Sequence, residues 1–172
     1  MTDDIAALFA YNRWADDRLL EACRAVPAGR YAAEVVPGWA SLHATVAHLA
    51  GGTEVWSRRF LGESAPPMLG EAELPTLDAA ARLLAHAHDA LDRLAGGLTA
   101  DRLAAPMTYR NSRGVTATLP LWAALRHVVN HATYHRGQAA SKLKRLGVEP
   151  PVTDLSAWAA GLTPQAPAEA PR

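Results

Sequence analysis

The sequence predicts an all-α protein, a four-helix bundle that carries one short β-hairpin. Apolar residues recur at spacings of three and four through four long segments. Stretches rich in proline and glycine separate these segments. Only the stretch before the fourth helix switches to alternation, the period of a strand.

The first helix is expected from about Asp3 to Ala25. Ile5, Leu8, Asn12, Ala15, Leu19 and Cys23 trace one face, and Asp3 and Asp4 favour its positive end. The run from Val26 to Gly29 stops it. The second helix starts near Ser41, whose hydroxyl suits an N-cap, and reaches about Phe60. Its stripe is Leu42, Val46, Leu49, Trp56 and Phe60. Gly62 to Pro75 reads as a loop. The third helix starts at Thr76, with a seam running from Leu77 and Ala80 through Leu84, Ala87, Leu91 and Ala95 to Leu98. In MTYRNSRGVTATL, Asn111 to Gly114 is the turn of the hairpin. The fourth helix runs from near Pro120 to about Leu146, with Lys142, Lys144 and Arg145 at its negative end, and Gly147 caps it. A short helix is expected at Asp154 to Ala160. Residues 1–160 read as one domain, and 161–172, with repeated Pro and Ala, as a disordered tail.

Composition narrows the function. A chain of 172 residues with 49% hydrophobic residues is long enough for a sizeable core. Lys+Arg and Asp+Glu number 17 each, a balance that argues against a nucleic-acid partner. No apolar run approaches a membrane span, and the acidic N-terminus is unlike a secretory signal, so a cytoplasmic location is expected. Cys23 is the single cysteine; no intrachain disulfide can form, and a small core residue is its simplest reading.

Of the seven histidines, two stand out. In HVVNHATYHRGQ, from His127 to Gln138, His131 and His135 lie one turn apart on the apolar side of one helix. A single inward histidine would be read as bonded to a backbone carbonyl. Two at this spacing read as shared ligands of one metal ion, because buried polar groups need partners. His127 is a further turn back, about 12 Å along the axis from His135, too far for one ion to join all three; a supporting or surface role is expected. A third ligand must come from another helix. His48 and His43 lie on opposite flanks of the second helix, and His88 lies near the seam of the third, whereas His86 points out. Periodicity does not choose among them, and Glu54 and Asp16 are carboxylate candidates. HATYH is not HExxH, and neither a Gly-rich phosphate loop, a GxSxG elbow nor zinc-finger cysteine pairs are present. Trp14, Trp39, Trp56, Trp122 and Trp158 read as core or pocket wall.

At these residues the chain resembles the DinB/YfiT-like metal-binding four-helix bundles, from about Tyr11 to Trp158. YNRWADDRLL (Tyr11 to Leu20) resembles the family's opening helix, and SLHATVAHLAGGTEVW (Ser41 to Trp56) its second. NHATYHRGQ (Asn130 to Gln138) is the most specific match, and LGVEPPVTDL (Leu146 to Leu155) resembles the stretch after the last helix. Family members often carry His-His before Arg-Gly-Gln, where this chain has Tyr134 and His135.

The resemblance implies an up-down-down-up bundle and a metal triad of His48, His131 and His135, choosing His48 over His43. It implies one divalent transition metal, zinc or nickel first and iron or copper next, since imidazole suits them all. It also implies an open coordination position for water or substrate. Members include transferases that use low-molecular-weight thiols such as bacillithiol or mycothiol, besides isomerases and hydrolases. The expectation is a metal-dependent enzyme acting on a small molecule, with Trp56, Tyr109 or Trp122 lining its pocket and a homodimer as a further expectation. The other reading is a stress-linked binding protein in which the metal is structural.

Overall fold

A computed structural model describes residues 2–27, 29–33 and 41–161. The elements are α1 (Thr2–Arg24), α2 (Leu42–Phe60), α3 (Leu77–Ala95), α4 (Ala100–Ala104), β1 (Pro106–Arg110), β2 (Thr116–Pro120), α5 (Leu121–Arg145) and α6 (Leu155–Ala159). Local chemistry sets the ends. Ser41, Thr76 and Thr99 each sit in extended backbone and accept from the N–H three residues on, capping α2, α3 and α4. After α5 the chain turns at Gly147, φ 82°, and the Val148 N–H reaches back to the Leu143 carbonyl.

Side chains that bridge the helices fix their directions. Arg126 pairs with Asp4, and Arg136 with Asp16, so α1 and α5 run parallel. Arg13 meets Asp92 and Arg24 meets Asp78, so α1 and α3 run antiparallel. Lys142 donates to Thr45 while the ring of His131 lies against Gly52, so α2 opposes α5. The order is therefore up, down, down, up for α1, α2, α3 and α5. Residues 61–76 carry the chain back along the bundle between the two parallel helices.

Two apolar clusters fill the interior. One gathers around Leu19, Leu42, Val46, Leu49, Leu84 and Leu143. The other gathers around Ile5, Phe9, Trp56, Leu91, Leu125 and Val128. Between them lies a buried polar layer. Asp16 accepts from Arg136 Nη1 at 2.7 Å and lies 3.0 Å from His88 Nε2; Arg136 Nη1 also donates to Asn12 Oδ1 at 2.7 Å. Arg136 is 2% exposed and Asp16 0%, so this pair survives burial only because each charge has several partners.

The hairpin pairs Pro106 with Pro120 through Arg110 with Thr116. Asn111 Oδ1 accepts from the N–H groups of Arg113 and Val115, and Gly114 takes φ 75°, the left-handed backbone that the turn needs. Several expectations shift. The third helix stops at Ala95, because Gly96 and Gly97 follow, yet Leu98 still packs in the core. The five-residue α4 is an element the periodicity did not reveal. Trp39 and the tail beyond Gly161 lie outside the described residues. No helix among the described residues is long and apolar enough to cross a membrane.

Candidate metal centre

The helical period brings three imidazoles to one point between α2 and α5. His48 projects from α2, and His131 and His135 project from α5 one turn apart. The ring of His48 lies 5.3 Å from that of His131 and 4.4 Å from that of His135. The Nε2 atoms of His131 and His135 are 3.1 Å apart. Two nitrogens bound to one tetrahedral ion are separated by about 3.3 Å, so this pair already stands near ligand spacing. All three residues offer a ring nitrogen within 4.8 Å of the others. These donors, three neutral nitrogens of borderline softness, suit a divalent transition metal.

Each ring is held by something the fold supplies. Gln138 Oε1 accepts from His135 Nδ1 at 2.8 Å. An amide oxygen can only accept, so the proton sits on Nδ1 and the Nε2 lone pair faces His131. His131 has room because residue 52 is glycine; a Cβ there would stand 2.8 Å from its Cε1. Gly51 serves the neighbouring loop, since a Cβ on it would meet the Leu69 carbonyl oxygen at 2.1 Å.

The electrostatics favour neutral rings. Burial, with the neighbouring His135, lowers the His48 pKa to about 4. Burial, with the adjacent His135, His48 and His127, lowers His131 to about 3. Burial lowers His135 too, and Lys142 adds to this while the Gln138 hydrogen bond opposes it. Rings kept neutral in this way leave lone pairs available to a cation.

Beside the triad opens a cleft of about 450 Å³ between α2, the 61–76 segment, the hairpin and α5. His131 is among its lining residues. Ring contacts continue from there: His127 is 5.6 Å from His131, Trp56 4.9 Å from His127, and Tyr109 4.9 Å from Trp56. One imidazole of the triad thus faces space large enough for a small molecule.

Other candidates fall elsewhere. His43 Nε2 lies 2.6 Å from the Leu74 carbonyl, with Nδ1 3.4 Å from Glu71, and its ring packs on Tyr31. His88 and Asp16 are tied to each other in the buried polar layer. Glu54 accepts from the Ser57 hydroxyl and does not join the triad. His86 is exposed, as its phase on the third helix predicts. Trp56 and Tyr109 do line the cleft, but Trp122 does not: it is 40% exposed at the start of α5, with Arg126 over its ring. Cys23 is buried, and the apolar surroundings push its thiol up to about 12, which makes it inert.

The model of the DinB family matches residues 1–166. The chain belongs to the DinB family. A similar protein is Protein DinB of Bacillus subtilis (strain 168), 27% identical over 164 residues, a match covering 92% of this chain and 95% of that one.

Periodicity did not anticipate three residues of this DinB-family bundle: Gln138, Arg136 and Lys142. Gln138 lies at i+3 from His135, the spacing at which helical side chains meet, and that was the available signal. Arg136 directly follows His135 in the sequence. Its partner signal was Asn12 on the inward face of α1, with Asp16 one turn on. Lys142, expected near the negative end of the helix, is 2% exposed and donates to Thr45.

Proposed function

We propose that this DinB-family protein is a metal-dependent enzyme in which His48, His131 and His135 hold one divalent transition ion. In this reading an ion held by these residues would supply the Lewis acidity that prepares a low-molecular-weight thiol, or water, for attack on a small electrophile. The observation that carries it is the convergence of three imidazoles beside an open cleft. Among the described residues, no fourth His, Cys, Asp or Glu joins the group. A site closed by four protein ligands would serve structure; one with three protein ligands leaves a position for substrate.

A dication bound by neutral ligands keeps its charge uncompensated and acidifies a thiol or water placed on it. The protein's own groups do the rest. Gln138 keeps His135 in the tautomer whose Nε2 points inward. Gly52 leaves room for the His131 ring, which is among the residues lining the cleft. Trp56 and Tyr109 form part of the cleft wall and make it less polar. Zinc and nickel are the first expectations for the ion, then iron and copper. A homodimer and a cytoplasmic location complete the reading.

The test is a turnover screen. Several low-molecular-weight thiols are each offered with a model electrophile, with and without added metal, to wild type and His135→Ala. Metal-dependent consumption of thiol that His135→Ala lacks supports the enzyme. Tight metal binding without turnover of any thiol or ester, and with a large loss of thermal stability on chelation, favours a structural metal instead.

A further inference from the structure

The cleft wall has a charge pattern that the triad does not explain. Arg59 and Arg110 line it along with His127 and His131, and none of the described lining residues is acidic. Arg59 is held in an unusual way. Its guanidinium lies 4.7 Å from the ring centre of Trp56 and 4.7 Å from that of Tyr109. The two ring centres are 4.9 Å apart, so both rings pack against the group from the same side, and the guanidinium lines the cleft. Among the described residues one of the five donors is used: Nη2 donates to the Arg110 carbonyl at 2.9 Å. Nε is buried and has no hydrogen-bond partner among the described residues. Burial opposes the charge, and among the described residues no carboxylate is paired with it. A fixed, planar, incompletely bonded cation at the wall of a cleft is the arrangement that recognises a carboxylate or phosphate through a two-point contact.

We propose that Arg59 is an oxyanion-recognition residue. The cleft then takes a small molecule whose reacting group sits at the His131 end and whose carboxylate or phosphate sits against Arg59. This assigns a substrate class to the proposed metal-and-thiol chemistry and rests on that reading for the reacting group only.

The experiment is calorimetric titration of zinc-loaded wild type and Arg59→Gln with mercaptosuccinate and with 2-mercaptoethanol, a thiol without an anion. Wild type is expected to bind mercaptosuccinate tighter by about tenfold or more, the scale of a charge-assisted hydrogen bond. In Arg59→Gln the two thiols should bind alike, with zinc stoichiometry and the circular dichroism spectrum retained. If Arg59→Gln does not fold, Arg59→Lys replaces it; losing the fork should still cut the preference by about threefold or more. Equal affinities in wild type, or a preference that survives substitution of Arg59, overturn the proposal. If neither thiol binds, the thiol reading fails by itself, and succinate decides for the anion site: Arg59-dependent binding upholds it and no binding overturns it. Inorganic phosphate, titrated beside succinate, tells which oxyanion is preferred.

Discussion

Replacing Gly52 with alanine separates the stability of the bundle from the geometry of its site. The new methyl would stand 2.8 Å from His131 Cε1, whereas ordinary contact begins at 3.4 Å, so the ring must retreat by about 0.6 Å. The atom in the way is at the end of a side chain, and a small torsional change moves it. Folding therefore bears little of the cost. Alanine in a helix interior is favoured over glycine by up to about 1 kcal/mol, so metal-free Gly52→Ala should melt at or slightly above wild type. Coordination is less tolerant. Metal–ligand distances hold to about 0.2 Å, and a displacement three times larger should weaken binding by about 10- to 100-fold, or roughly 1.4–2.7 kcal/mol. Competition against a chromophoric chelator reads the affinity, and calorimetric melting of the metal-free proteins reads the stability. Gly51→Ala is the control. Its methyl would strike the Leu69 carbonyl, which is backbone, so it should destabilise the metal-free protein by about 1–3 kcal/mol. An affinity for Gly52→Ala within twofold of wild type would refute the placement of His131 as a ligand.

Other perturbations test separate parts of the account. His135→Ala should abolish tight metal binding while His86→Ala leaves it intact, as read in the same chelator competition; equal losses would mean the ligands are misassigned. Gln138→Leu removes the acceptor that fixes the His135 tautomer and should weaken binding by about 10- to 100-fold, whereas Gln138→Glu keeps an acceptor and should not. The metal-free protein should lose stability in acid. His48 and His131 have folded pKa values of about 4 and about 3, below the usual 6.5, so the unfolded chain takes up protons first. Their effect is absent above about pH 7 and grows as pH falls from 6.5 towards 3, seen as a falling urea midpoint; a midpoint that rises over this range would contradict the neutral rings. Asp16→Ala strands Arg136 in the core and should cost about 3–5 kcal/mol, and Asp16→Leu with Arg136→Met should recover much of that in chemical denaturation.

Features governed by local rules were legible in the sequence. The stripes of the four long helices, the cap at Ser41, the helix start at Thr76 and the turn at Asn111 to Gly114 each depend on residues within one or two turns of one another. The inward phase of His131 and His135 belongs to this class. What came from elsewhere depends on which helix faces which. Period alone left His43, His48 and His88 open, because all three lie at or near a buried face; the structure seats His43 on Leu74 and His88 on Asp16. Resemblance to the family, not spacing, pointed to His48. Arg136 and Lys142 escaped notice because a charged side chain defaults to the surface unless its partner is known, and those partners lie 120 and 97 residues away. Trp122 was misplaced for the opposite reason: a large ring suggests a core, but the first turn of α5 leaves this one at the surface.

The central claim is that three imidazoles hold one ion and leave a position open. X-ray absorption of tag-free protein loaded with zinc tests it most directly. The account predicts about one ion per chain, three imidazole nitrogens at about 2.0–2.1 Å, and one further light atom that a sulfur replaces when mercaptosuccinate is added. A protein that takes up no zinc, or an ion with fewer than three imidazoles around it, would contradict it.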